Sequence, residues 1–427
     1  MIRRLVLILT VATSSGCFNF DAAYSTFCDG GRCAPDASSS TGGGAATGGS
    51  GGGAVGGGTA TGGGGTATGG GGGGGTTGGG GGTADAGCPQ FLCPQLDWMS
   101  PRSSIFYTVA PGLMTESLNR FHVIGSFEAN APGSSNFTHF EYRFVDGGVQ
   151  TIPRTTQLDV RTETLQLRGF SMTDYWVTYR TYATHFEGSN TPVDVSTCVA
   201  QDGGITNAWQ YALTPVTADE AWFVGYPFSI CHWTRAAGLV ATTNPDLHPE
   251  VRLRDVYRMP SGEVFAVGGD YDPNTQTASG VIYREDGTPV SVGNLIDTWY
   301  DDGFNSIDGT GTEVYVLGRS NSAQRGEIHK LRADGGFGLV YTAPFRLSQL
   351  DVTPAGEVWA VGQAPDRVVY FDGGSWNDFP LPTTEFRTSV RWENINATTE
   401  GIVLTGFETQ EDGGNTAVVN TYRLFGK

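Results

Sequence analysis

Glu357-Val358-Trp359-Ala360-Val361-Gly362 is the stretch from which the organisation of this chain can be read. Near-copies recur at Glu263-Val264-Phe265-Ala266-Val267-Gly268 and Glu313-Val314-Tyr315-Val316-Leu317-Gly318. Ala221-Trp222-Phe223-Val224-Gly225 and Ile402-Val403-Leu404-Thr405-Gly406 each differ by one change, and Phe121-His122-Val123-Ile124-Gly125 is looser. From Gly225 onward the closing glycines are 43, 50, 44 and 44 residues apart. A fixed period in this range marks a repeat architecture.

Each copy is a continuous apolar run of β-branched and aromatic residues. That pattern predicts a strand covered on both faces. Turn signals precede two copies, Pro260-Ser261-Gly262 and Pro354-Ala355-Gly356. A second apolar run follows, and then Asp-Gly at 146–147, 286–287, 334–335 and 372–373. Asp-Gly between apolar runs predicts a tight hairpin. One repeat is therefore four antiparallel strands, for example 347–353, 357–362, 367–371 and 376–381. Such a sheet cannot cover its own two faces, and radial stacking solves the problem. Over 104–427 the chain resembles a β-propeller, although no specific propeller family is matched. WD dipeptides and the kelch double-glycine pattern are missing.

Between Gly125 and Gly225 lie 100 residues, room for two repeats. Asp174-Tyr175-Trp176-Val177-Thr178-Tyr179 fills the slot without its glycine, which makes seven blades. Six is the alternative if that copy is discounted. The last blade lacks a fourth strand, and a strand at 105–109 is expected to close the ring by pairing with it.

Arg3-Arg4, a short apolar run over 5–12 and small residues up to Cys17 read as a secretory signal over 1–16. Ser14-Ser15-Gly16-Cys17 resembles a bacterial lipobox, with Ser14 where Leu is usual. The resemblance implies a lipidated Cys17 and a membrane held through that lipid. Phe18 follows instead of the aspartate that retains many such proteins at the inner membrane. The outer membrane or cell surface is therefore the expected location. The alternative is ordinary cleavage with Cys17 left as a thiol. The lipidated N-terminus with a small Cys loop spans 17–37, and a second Cys loop and lead-in spans 88–103.

Seven cysteines less a lipidated one leave an even number for disulfides. Cys28 with Cys33, and Cys88 with Cys93, suggest two local loops; Cys198 and Cys231 would then staple neighbouring blades. Other connectivities stay open. Residues 38–87 are almost wholly Gly, Thr, Ala and Ser, and they predict a disordered linker. As a Gly-rich coil it reaches roughly 40 Å.

The net charge is −18. Residues 1–94 hold three Arg and four Asp, so about −17 belongs to the folded part. Nucleic acid is disfavoured as a partner, and anionic headgroups would also repel the ring. Within the propeller, 104–427, neither a Gly-x-Ser-x-Gly elbow nor His-Glu-x-x-His is present. The six histidines are His122, His139, His185, His232, His248 and His329. Three of them fall on third strands, which favours packing over catalysis. Asp270-Tyr271-Asp272-Pro273-Asn274 resembles the start of a calcium loop but lacks its central Gly and final Glu; a polar hairpin loop fits it better. Asp372-Gly373-Gly374-Ser375-Trp376 only faintly resembles an Asp-box.

No catalytic, cofactor-binding or metal-binding residue is nominated. The binding candidates lie in the loops after the second strands, 127–136, 269–279 and 407–415, which emerge on one face of a propeller. They are Phe127, Glu128, Asp270, Tyr271, Asp272 and Phe407. The expectation is a monomeric, membrane-anchored binding or scaffold lipoprotein that recognises a protein or glycan. The alternatives are a hydrolase or lyase acting on extracellular carbohydrate or peptide, and a purely structural envelope lipoprotein. A pair of buried carboxylates at glycosidase spacing would favour the enzyme.

Overall fold

The computed structural model describes residues 92–99, 112–128, 137–145, 148–151, 164–179, 182–188, 193–196, 209–242, 251–275, 277–292, 296–297, 303–320, 324–362, 367–381, 390–409 and 415–424. The expected signal, Cys17, the linker, Cys28, Cys33, Cys88, Cys198, His248 and the strand expected at 105–109 lie outside them. The same holds for the side chains of Cys93, Phe127, Glu128 and His139.

The described residues contain no helix. Their strands form seven antiparallel four-stranded sheets, each in the order inner, second, third, outer. The chain is a seven-bladed β-propeller. The inner strands are β2 (Gly112–Ser117), β6 (Thr164–Ser171), β10 (Trp209–Thr217), β14 (Val251–Arg258), β18 (Gly303–Thr310), β22 (Leu347–Val352) and β26 (Val390–Ala397). The apolar copies are the second strands, from β3 (Arg120–Glu128) through β7 (Asp174–Tyr179) to β27 (Gly401–Thr409). β7 coincides with the copy that lacks a glycine, so the second blade stands. Asp-Gly turns follow as expected, with φ of +80°, +81° and +93° at Gly287, Gly335 and Gly373.

The ring is closed by an N-terminal strand, but not by 105–109. β1 (Leu92–Met99) pairs with β28 (Asn415–Leu424), whose other edge is held by β27. Both edges of β28 are thus occupied, and the propeller begins at Leu92 rather than at 104. A strand interrupted by Cys93 and Pro94 did not advertise itself as the closing element. Leu92 is nonetheless buried in the cluster shared by blades six and seven.

Seven apolar clusters fill the seven blade-to-blade interfaces. Val403 and Val419 of blade seven pack with Phe121 and Val123 of blade one, which completes the circle. Burial of this kind contributes about 25 cal/mol per Å². The acid that opens the repeat has its own packing role. Glu357 accepts a hydrogen bond at 3.1 Å from the Tyr370 hydroxyl, and Tyr370 lies 4.2 Å from the Trp359 ring. Glu220 and His232 meet at 3.0 Å while His232 stacks on Trp222. Asp174, His185 and Trp176 repeat the arrangement. In blades four and five Glu263 pairs with Arg284 over Phe265, and Glu313 with Lys330 over Tyr315. His185 and His232, on third strands, are therefore packing partners of the repeat.

Around the channel five of the seven blade-to-blade steps carry a further tie among the described residues. A side chain of one inner strand accepts a backbone N–H from the following blade. The pairs are Glu116 with Met172 (2.6 Å), Gln166 with Leu213 (2.8 Å) and Asp255 with Ile307 (3.1 Å). Asp308 with Val352 (2.8 Å) and Asp351 with Ala397 (2.6 Å) continue the series. These bonds satisfy inner-strand donors that have no further strand to pair with.

Candidate functional site at the channel mouth

Six inner strands share one irregularity. In blade six, Gly362 pairs with Leu347 and Val361 with Gln349, so Ser348 is an extra residue. Arg254, Asn305 and Glu393 are extra in the same way in blades four, five and seven. Leu165 and Tyr211 hold the position in blades two and three. A β-bulge bends its strand and re-aims a side chain. The glycine that closes each copy faces the bulge in blades three to seven. A Cβ added to Gly268, Gly362 or Gly406 would overlap the carbonyl oxygen of Arg252, Arg346 or Arg391. The glycine that sets the repeat thus permits the bulge.

The four polar bulge residues converge at one mouth of the channel. Arg254, Asn305, Ser348 and Glu393, each followed by a polar neighbour (Asp255, Ser306, Gln349, Asn394), line a cavity of about 240 Å³. Gln166 and Arg319 also line it. Three guanidinium groups, from Arg391, Arg319 and Arg346, act on Glu393. Burial raises its carboxyl above the usual range, and those cations oppose the rise. The lining itself holds two Arg, Arg254 and Arg319, and two acids, Asp255 and Glu393, while Arg346 and Arg391 also act on Glu393.

Deeper in the channel, Arg168 and Gln166 reach across from blade two to blade four. Arg168 lies 3.8 Å from Asp255, and Gln166 donates to the same carboxylate at 3.4 Å. Burial raises the Asp255 pKa, and Arg168 opposes it. Burial, and then the neighbouring Asp351 carboxylate, push Asp308 up to about 8. Asp351 is raised by burial as well and accepts a hydrogen bond from Asp308. This pair is in direct contact, whereas glycosidase carboxylates stand roughly 5 Å or more apart. Both groups also hold a backbone N–H of the next blade. Their arrangement is that of an inter-blade staple. A second opening of about 170 Å³ at the far end is lined by Thr115, Arg168, Asp351 and Asn396, among others.

Of the residues nominated from sequence, Asp270, Tyr271, Asp272 and Phe407 lie on the same rim and are not among the described residues that line the cavity. The second and third strands extend past the closing glycine as hairpins, ending at Glu128 opposite Phe137, Asp272 opposite Thr277 and Thr409 opposite Asn415. Much of the expected loop 269–279 is therefore paired strand, and only its tip is a turn. Asp270, Tyr271 and Phe407 sit on these extensions, partly buried. Asp272 accepts hydrogen bonds from Asn274 N–H (2.8 Å) and the Thr275 hydroxyl (3.0 Å). Those bonds hold its carboxyl below the usual range. Its oxygens serve the hairpin turn, in keeping with the polar-loop reading.

The bulge residues escaped sequence reasoning. Their signal is a polar pair inside an inner strand about fourteen residues before a closing glycine, as in Ser348-Gln349 before Gly362. Cys231 is disulfide-bonded and lies in the apolar cluster between blades two and three.

No family model and no curated protein matches this chain. Solved structures do. Virginiamycin B lyase from Staphylococcus aureus superposes with a TM-score of 0.50 at 10% identity, over 74% of this chain and 95% of that one. The WD40 repeats of RRP9 give 0.49 at 10%, over 78% and 99%. YCF48 bound to D1 peptide gives 0.47 at 14%, over 76% and 98%. At these identities the likeness is one of fold.

Proposed function

We propose that this protein is an extracytoplasmic binding module, tethered to the envelope through a lipid on Cys17 and the linker 38–87. The partner, a protein or a glycan, docks on the rim where the channel mouth and the extended hairpins lie. The observation that carries this reading is the set of bulges in blades four to seven. Four bulges aim polar residues into one cavity, although packing alone would favour apolar ones there. The hairpins of blades one, four and seven stand around the same rim and enlarge the surface. Cys198 is the proposed partner of Cys231, stapling blades two and three beneath it.

The test is binding of the labelled full chain to glycan and peptide arrays. Arg319→Gln and shortened hairpins at 127–138, 270–279 and 407–417 are expected to remove the specific signals. Thr115→Ala, at the opposite opening, is expected to keep them. Signals that survive all rim changes and vanish with Thr115→Ala would refute the reading.

A further inference from the structure

This inference rests on the rim as the binding surface and names what the mouth accepts. Three polar atoms there are shielded from solvent and lack a hydrogen-bond partner among the described residues. They are the Asn305 Nδ2, the Ser348 Oγ and the Gln349 Oε1. Buried polar groups left unpaired are costly, so such a cluster is suited to a polar ligand. All three residues line the cavity of about 240 Å³, together with Arg254 and Arg319.

We propose that the mouth binds a carboxylate carried on a unit the size of one sugar ring or one amino acid. Size sets the upper limit: sites for drug-sized molecules span about 300–1,000 Å³. Charge sets the sign. Arg319, Arg346 and Arg391 act on Glu393, Arg254 stands on the same wall, and the second acid there, Asp255, is paired with Arg168. A planar guanidinium fork matches a carboxylate with two parallel hydrogen bonds. Asn305 and Ser348 can donate to the ligand, and Gln349 can accept from a hydroxyl or amide on its neutral part. The carboxylate has two possible sources, an acidic sugar or the free end of a peptide.

The experiment is calorimetric titration of the full chain with galacturonate and with N-acetylalanine. Galactose and N-acetylalanine amide serve as the neutral counterparts. At least one acid is expected to bind about tenfold more tightly than its neutral counterpart, the worth of one charged hydrogen bond. Which acid it is distinguishes the sugar from the peptide source. Arg319→Gln and Asn305→Ala, each checked for an unchanged melting curve, are expected to weaken that binding; Thr115→Ala leaves it intact. Neutral probes binding as well as the acids, or no acid binding at 10-fold excess over ~1 mM, would overturn the assignment. Array signals that remain rim-dependent in that case would leave the rim reading standing and remove only the ligand class.

Discussion

Gly362 lies so close to the carbonyl oxygen of Arg346 that no side chain fits between them. The same contact joins Gly268 to Arg252 and Gly406 to Arg391. Gly362→Ala must therefore push the bulged inner strand away or flatten the bulge. Overpacking of this kind costs about 1–3 kcal/mol or more. A lower melting temperature and weaker rim binding are expected. Gly374→Ala is the control, since its added Cβ would meet only the Asp372 carboxylate at 3.4 Å, an ordinary contact.

Asp308 predicts a pH dependence. Its folded pKa is raised to about 8 from 3.8 by burial and by Asp351. Between those values the folded state holds a proton that the unfolded state has released. Stability therefore falls as pH rises from about 4 to about 8, and levels off above. Asp308→Asn keeps an acceptor for the Val352 N–H and removes the charge. Its melting temperature is expected to exceed that of the wild type by ~2 °C or more at pH 8.5, and by less at pH 5. An equal offset at both pH values would show that Asp308 is ionised throughout.

The closing strand makes a prediction about truncation. Removal of residues 1–91 leaves β1 in place, and a melting curve close to that of the full chain is expected. Removal of 1–99 strips Leu92 from its cluster and bares the edge of β28. Loss of one buried Leu alone costs about 2–5 kcal/mol, and a bare edge invites strand pairing between molecules. Size-exclusion chromatography should show aggregation only for the longer deletion.

The cysteine pairing is tested by peptide mapping without reductant. A Cys198–Cys231 crosslinked peptide is expected, and Cys198→Ser should cost about 3 kcal/mol under oxidising conditions only. A different partner for Cys231 would contradict the inter-blade staple.

The fold was legible because the repeat is written in apolar second strands, and packing demands them at every blade. Even the Trp176 copy, which has no closing glycine, pairs and stacks as the others do. The closing strand was harder to see, because Cys93 and Pro94 interrupt β1 and its partner lies more than 300 residues away. The site was only half legible. The glycines were visible as punctuation, yet their steric cause is the carbonyl of a different strand. A bulge is a property of a pair of strands, so Ser348 or Asn305 looks like an ordinary polar interruption when read along one. Asp270, Tyr271 and Asp272 drew notice as a loop motif, but the hairpin continues through them and the turn consumes the Asp272 carboxylate.

Hydrogen–deuterium exchange of the full chain, with and without its best array ligand, probes the mouth most directly. Added protection is expected in the bulged segments 303–308, 346–350 and 390–394 and beside Arg319. Protection confined to 115–120, 168–173 and 396–402 at the opposite end, or to the outer strands, would contradict a binding site at the bulged mouth.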